Sequence, residues 1–230
     1  MIDITNLTKS YGKARGVIDL TLHVPEGSCF GFIGPNGAGK STTIRTLLGL
    51  LSPTSGSARL LGLDCVREKE KILAQVGYMP SEAMFYPDMR VSEVIRLSAG
   101  LRKRDCGTEA AELCKALELD THKRVRELSL GNRKKVSIVC AMQHQPKLYI
   151  LDEPTSGLDP LVQRAFWSEL ENRRREGATV FLSSHVLYEV ARYCDRAAIL
   201  REGRLIAEGT TAELDIENRF FDYYEGRVHA

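Results

Sequence analysis

Residues 34–42 contain the pattern Gly-x-x-x-x-Gly-Lys-Ser/Thr, which belongs to a loop between a β-strand and an α-helix in α/β proteins. The pattern begins at Gly34 and ends in Gly39-Lys40-Ser41-Thr42. An apolar run at 28–33 precedes it, and apolar residues at helical spacing follow it as far as Leu51. The sequence therefore predicts a strand, a phosphate-binding loop and a helix in that order.

The composition of this loop predicts that it binds a nucleoside triphosphate. Glycines let consecutive backbone N–H groups turn inward around phosphate oxygens, and the following helix directs the positive end of its dipole at them. We expect Lys40 to reach the β- and γ-phosphates and Ser41 to coordinate Mg²⁺. The alternative is a glycine-rich turn that binds nothing. The residues expected to contact nucleotide are Gly34, Pro35, Asn36, Gly37, Ala38, Gly39, Lys40, Ser41 and Thr42.

Length and charge limit the remaining possibilities. A chain of 230 residues with 43% hydrophobic content fits one large domain, or a core with a subdomain. The formal net charge of +2 gives no basic surface of the kind that nucleic acid requires, so we expect no nucleic-acid partner. Two local basic runs, 133–135 and 173–175, are predicted to be solvated helix faces.

Cysteine usage and hydropathy indicate a cytosolic protein. The six cysteines are scattered without a Cys-x-x-Cys pair, which favours reduced thiols. No apolar stretch approaches the roughly 20 residues needed to cross a bilayer, and the first residues lack the pattern of a secretory leader. Any membrane role is expected to come through a partner.

The hydrophobic pattern predicts an α/β fold with a mixed core sheet. Half-buried strands at 2–5, 17–24 and 57–61 predict an antiparallel β subdomain near the amino terminus. Apolar runs at 148–151, 179–182 and 197–200 alternate with helical patterns such as 161–175, as in parallel α/β units. We expect a single domain spanning 1–230, with an inserted helical subdomain at about 82–145 and a short tail at about 210–230.

An apolar strand at 147–151 ends in two adjacent carboxylates, Asp152 and Glu153. Such a strand carries both groups to the carboxyl edge of a parallel sheet. There an Asp can hold Mg²⁺ and a Glu can polarise the water that attacks a phosphate. Alone, the pair could be an ordinary solvated strand end, but the phosphate loop upstream favours the functional interpretation.

Further segments follow in an order and at separations that match a known family. They are Tyr11 near the amino terminus, Leu128-Ser129-Leu130-Gly131-Asn132, Ser156-Gly157-Leu158-Asp159, and His185. With them the chain resembles the nucleotide-binding domain of ABC transporters from about Ile2 to Gly209. The resemblance implies the ABC ATPase variant of the P-loop NTPase fold.

The resemblance also implies roles for individual residues. Tyr11 would stack on adenine, and His185 would contact the γ-phosphate as the switch histidine. Ser129 and Gly131 would cap the γ-phosphate bound by an opposite subunit, using a helix N-terminus. Asp159 would lie in the loop that joins the two sites of a dimer. Ser129 could equally serve as an ordinary helix N-cap, and the two roles are compatible.

Two segments depart from the family pattern. The stretch from Leu128 to Asn132 occupies the place of the family's signature segment. In this signature segment, Leu130 adds bulk where the backbone approaches phosphate, and Asn132 replaces a longer Gln. Ser81 stands where the family carries a Gln that touches Mg²⁺ and the water and relays motion of the membrane subunit. The Ser81 hydroxyl, with neighbouring Glu82, could still join the metal shell. We therefore predict slower hydrolysis than in relatives that carry Gln.

The implied function is that of an ATP-hydrolysing subunit of a transporter. Two copies, identical or different, would enclose two Mg-ATP and drive a separate transmembrane permease from the cytoplasmic face of the cell membrane. Segments 42–45 and 50–56, together with the aromatic tail at 220–226, resemble exporters of drugs, antimicrobial peptides or polysaccharides. Two alternatives stay open: a nucleotide-gated switch with weak hydrolysis that regulates a partner, and a soluble ABC ATPase without a transport role.

Overall fold

The computed structural model describes residues 1–12 and 14–227, with the backbone alone at Ala14 and Arg15. Its strands are β1 Ile2–Tyr11, β2 Ala14–Val24, β3 Cys29–Ile33, β4 Ser55–Leu60, β5 Leu63–Asp64, β6 Val76–Met79, β7 Leu148–Asp152, β8 Thr179–Ser184, β9 Arg196–Arg201 and β10 Arg204–Thr210. Its helices are α1 Lys40–Leu47, α2 Lys69–Gln75, α3 Val91–Leu101, α4 Gly107–Ala116, α5 Leu130–Met142, α6 Pro160–Arg175, α7 Leu187–Tyr193, α8 Thr211–Leu214 and α9 Ile216–Glu225. The chain forms two compact units, one from 1–73 with the segment from 179 onward and one from 74–178.

The first unit contains an antiparallel sheet in the order β2-β1-β4-β5. Ile2 of β1 pairs with Val24 on one side and with Leu60 on the other, and all three side chains are fully buried. Alternating apolar residues thus put one face of the sheet in the core. The predicted amino-terminal antiparallel sheet is confirmed, with longer strands than the sequence pattern indicated.

The same unit contains the strand that leads into the phosphate loop. β3 is buried along its whole length and runs parallel to both β8 and β9, while β10 adds an antiparallel strand beside β9. The rings of Phe30 and Phe32 pack on Phe181 of β8, with centroids 6.0 and 5.2 Å away. A strand that is apolar on both faces suits such a central position. The sheet is mixed, in agreement with the predicted α/β fold.

The second unit contains the parallel pair β6 and β7 and helices α3 to α6. Helix α5 packs on β6 and on α3, and the Tyr149 side chain of β7 is fully buried. Helices α3, α4 and α5 occupy the range predicted to be helical, whereas the boundaries of a separate subdomain at about 82–145 stay a prediction. The predicted tail contains α9, and residues 228–230 lie outside the described residues.

The prediction that both basic runs are solvated helix faces is wrong. Lys134, Lys135 and Arg173 are only 4%, 9% and 7% exposed. Helix α5 is buried at nearly every position from Lys134 to Met142, so both lysines lie in the covered part of the helix. Arg173 is buried because carboxylates surround it, including Glu169 at 2.6 Å. Of these two runs, only Arg175 is exposed.

Two further expectations concern thiols and hydropathy. None of the six cysteines, which all lie among the described residues, forms a disulfide, and the sulfur atoms of Cys29 and Cys194 lie 3.6 Å apart in the core. Within 1–12 and 14–227, no helix combines the length and apolar character that a membrane span requires.

Candidate functional site

The phosphate loop connects the end of β3 to the start of α1. Gly39 is the N-cap of α1 with φ of 108°, a conformation that favours glycine. At Gly34, a Cβ would lie 2.5 Å from the carbonyl oxygen of Leu200, so a larger residue would collide with β9. The turn after β9 supports the loop, because Gly203 donates its N–H to the Ala38 carbonyl at 3.0 Å. The neighbouring strand β9 and the turn after it therefore fix the loop.

Lys40 directs its charge into this loop. The side chain is 6% exposed, and its ammonium donates to the carbonyl oxygens of Gly34 at 2.6 Å and Pro35 at 3.3 Å. Ser41, the second residue of α1, lies in its first turn and is half-buried. Backbone N–H groups, an ammonium and a helix N-terminus together form a donor set that fits phosphate oxygens.

His185 lies at the same sheet edge as the loop. Ile33 at the end of β3 pairs with Ser184 at the end of β8, and the two strands are parallel. His185 follows Ser184 as the loop follows Ile33, and its side chain is exposed. The Ser184 hydroxyl accepts from the Val186 N–H at 3.0 Å and fixes the turn that presents the imidazole. The fold thus brings the loop and His185 to one edge.

In the second unit, Ser81, Asp152 and Glu153 lie at the carboxyl ends of another pair of parallel strands, β6 and β7. Met79 of β6 pairs with Leu151 of β7, so Ser81 and Asp152 follow paired positions. Asp152 is 1% exposed, and Glu153 is half-buried. Glu153 has φ of 50°, a left-handed conformation that costs a non-glycine residue roughly 1 kcal/mol and is frequent at functional sites.

Lys134 belongs to the same edge, although the basic run that contains it was predicted to be a solvated helix face. Its ammonium donates to the Ser81 carbonyl oxygen at 2.8 Å. Burial lowers the pKa of Lys134, while the carboxylates of Asp152, Glu153 and Glu82 act in the opposite direction. The apolar run that follows it in α5 is the sequence signal that could have indicated burial.

The signature segment begins α5 with a capped N-terminus. The Ser129 side chain accepts from the Asn132 N–H at 3.3 Å, as the N-cap interpretation predicted. Gly131 approaches the neighbouring loop so closely that a Cβ on it would lie 3.0 Å from the Gly157 carbonyl oxygen. Leu130 is 69% exposed. The segment therefore presents the first turn of a helix, with a bulky apolar side chain beside it.

Asp159 caps a second helix in this unit. Its carboxylate accepts from the N–H groups of Leu161 at 3.1 Å and Val162 at 3.0 Å, and Pro160 occupies the first helical position. These bonds explain why the loop before α6 ends at Asp159.

Tyr11 lies at the end of β1 in the first unit. Its side chain is 45% exposed, and the Lys9 ammonium lies 5.3 Å from the ring centroid. An accessible ring of this kind can stack on another aromatic group. The candidate residues thus form two sets. Tyr11, the loop and His185 belong to the first unit, and Ser81, Ser129, Gly131, Asp152, Glu153 and Asp159 belong to the second.

Two protein-family models match parts of the chain. The family model described as "ABC transporter" matches residues 17–156. A shorter match, residues 123–191, is to a model described as an AAA domain, putative AbiEii toxin of a type IV toxin–antitoxin system.

Two curated relatives are similar over most of this chain. It is 37% identical over 223 residues to the bacitracin transport ATP-binding protein BcrA of Bacillus licheniformis, covering 95% of this chain and 72% of that protein. It is 36% identical over 223 residues to the probable multidrug ABC transporter ATP-binding protein YbhF of Escherichia coli (strain K12), covering 95% of this chain. The chain spans only 38% of the length of YbhF.

A solved structure has the same fold. It is a dimeric ATP-binding cassette in a post-hydrolysis state, bound to ADP and Pi, with a TM-score of 0.84 and 26% identity. The match covers 92% of this chain and 99% of the solved chain. These comparisons confirm the resemblance drawn from the motifs.

Proposed function

The chain belongs to the ABC transporter family of ATP-binding proteins, and from that premise we propose that it binds and hydrolyses ATP to power a transporter. The observation that carries the proposal is the phosphate loop, in which the Lys40 ammonium lies against the loop carbonyls. The loop provides what a triphosphate requires, namely convergent N–H donors and a fixed positive charge. A turn without ligand-binding function would not need a buried lysine.

The proposed chemistry is in-line attack of water on the γ-phosphate, driven by positioning and electrostatics. Lys40 neutralises phosphate charge, Glu153 orients and polarises the water, and His185 contacts the γ-phosphate. The Ser41 hydroxyl and the Asp152 carboxylate are hard oxygen donors of the kind that Mg²⁺ prefers, and Ser81 offers a third oxygen. Bound Mg²⁺ would neutralise charge on the phosphate oxygens.

The proposed active form is a dimer of two such chains, or of this chain with a second ABC ATPase. Ser129 and Gly131 supply a helix N-terminus for the γ-phosphate of the opposite subunit, Asp159 lies in the loop between the sites, and Tyr11 stacks on adenine. The dimeric, ADP-bound cassette among the solved relatives supports this arrangement.

The proposed transport direction is export, through a separate transmembrane permease and from the cytoplasmic face of the cell membrane. Support comes from the names of relatives, which describe bacitracin transport, multidrug transport and Nod factor export. The substrate class is accordingly proposed to be a drug, an antimicrobial peptide or a polysaccharide.

The test is Mg²⁺-dependent ATP turnover of the purified chain beside Glu153→Gln, with size-exclusion chromatography in ATP. We expect turnover in the wild type and its loss in the variant, which should still bind ATP and dimerise. Retained turnover in Glu153→Gln would overturn the role of Glu153. If the wild type binds ATP without turnover, the nucleotide-gated switch, which the Ser81 and Leu130 departures favour, replaces the motor.

A further inference from the structure

Lys134 is a buried cation on the helix that begins with the signature segment. The side chain is 4% exposed, and its ammonium donates to the main-chain carbonyl of Ser81 at 2.8 Å. The two residues are 53 positions apart in the sequence. One hydrogen bond therefore joins helix α5 to the segment that follows β6.

The same ammonium is in the field of three carboxylates. Asp152 is the last residue of β7 and Glu153 follows it, while Glu82 follows Ser81. Each of the three carboxylates favours the charged form of Lys134. A buried ammonium is costly unless it is hydrogen-bonded and compensated by opposite charge. The hydrogen bond to Ser81 and the three carboxylates together offset the cost of burying Lys134.

We propose that Lys134 is a positioning residue for ATP hydrolysis, holding the Ser81–Glu82 segment, the Asp152–Glu153 pair and helix α5 in one fixed arrangement. The inference rests on the proposed function, because it assigns Lys134 to the reaction that Glu153 performs. The side chain acts through these groups and is not a catalytic residue.

This role predicts which steps depend on Lys134. Nucleotide affinity comes mainly from the loop at 34–42, so removal of Lys134 should lower kcat more than it changes KM for ATP. A positive charge near Asp152 also opposes a second cation. Removal of the charge should therefore lower the Mg²⁺ concentration needed for nucleotide binding, an effect that simple loosening of a helix would not produce.

The test compares Lys134→Met, Lys134→Arg and the matched control Lys135→Met. Lys135 is the next residue of α5 and is 9% exposed, but the bond to Ser81 comes from Lys134. Each variant is assayed for kcat and KM, for melting temperature, and for the Mg²⁺ dependence of binding to a fluorescent ATP analogue. Wild type and Glu153→Gln are measured in parallel.

For Lys134→Met we expect kcat to fall by about tenfold or more, with KM changed by less than about threefold. Half-maximal nucleotide binding should need about threefold less Mg²⁺. Lys134→Arg, which keeps the charge and donors, should recover most of kcat, and Lys135→Met should retain it.

Two results would overturn the inference. If Lys134→Met keeps its kcat, or loses it only as much as Lys135→Met does and without the shift in Mg²⁺ dependence, Lys134 has only a structural role. If the wild type itself has no turnover, the proposed function fails together with the inference. If the wild type turns over ATP and Glu153→Gln does not, the proposed function stands, and an unchanged kcat in Lys134→Met then counts against the role of Lys134 alone.

Discussion

The ammonium nitrogen of Lys40 lies 2.6 Å from the carbonyl oxygen of Gly34. The lysine begins α1 and the glycine directly follows β3, so this bond closes the phosphate loop on itself. The positive charge is thereby held where the loop carbonyls would otherwise repel an anion. A phosphate that enters the loop meets a cation whose position is already set, which reduces the ordering cost of binding.

Replacing Lys40 with Ala should weaken ATP binding by about ten- to a hundredfold, the usual worth of a charge-assisted hydrogen bond. Titration with a fluorescent ATP analogue measures the loss. Lys71→Ala is the control, because it removes a lysine of the same unit whose side chain is 68% exposed and pairs with Glu68. If Lys40→Ala and Lys71→Ala bind ATP with equal affinity, Lys40 does not contribute to the binding site.

Glu153→Gly should leave the protein more stable than Glu153→Ala, although we expect both changes to abolish turnover. Its φ of 50° disfavours any residue with a Cβ, and glycine relieves that strain. We expect Glu153→Gly to exceed Glu153→Ala by about 1 kcal/mol in the free energy of unfolding, measured by urea titration. A less stable glycine variant would contradict the observed backbone conformation.

Arg173 should be essential for the stability of the second unit. Its guanidinium pairs with Glu109, with Glu169 at 2.6 Å and with Glu176 at 3.4 Å. Arg173→Met should lower the free energy of unfolding by about 3 kcal/mol, because the half-buried carboxylates of Glu109 and Glu169 then lack a cation. The control is Arg175→Met on the same helix, whose side chain is 73% exposed and which should change stability by less than about 0.5 kcal/mol. Urea denaturation of both variants decides between these outcomes.

His144 should make stability fall in mild acid. Burial, with Arg102 as the next contribution, lowers the pKa of His144 from 6.5 to about 4. The unfolded chain then binds a proton that the folded chain does not, so stability is lost as the pH falls from the unfolded value toward the folded one. Between about pH 7.5 and pH 5 the loss from this group is about 2 kcal/mol.

A pair of histidine variants tests this dependence. His144→Gln should remove about that amount from the difference in unfolding free energy between the two pH values. The exposed His122→Gln should leave the difference as in the wild type. If both variants retain the full acid sensitivity, other groups cause it.

Much of the fold and of the candidate site could be predicted from the sequence because the signals are local. The loop needs glycine at Gly39 for a φ of 108°, and Ser129 and Asp159 cap the helices that follow them, as Pro160 indicated. The runs that predicted β7 and β8 became strands within a few residues of the expected ends. Each of these features depends on residues within about one turn or one strand.

The sequence by itself thus determined the phosphate loop, the order of strands and helices, and the family. Only the tertiary structure decided which basic residues are buried and what they contact. Lys134 meets Ser81 across 53 positions, and Arg173 meets Glu109 across 64. The physical reason is that burial of a charge depends on partners from distant elements. The same run of basic residues can occur in a helix that faces water and in one that faces carboxylates, so the run alone does not distinguish them.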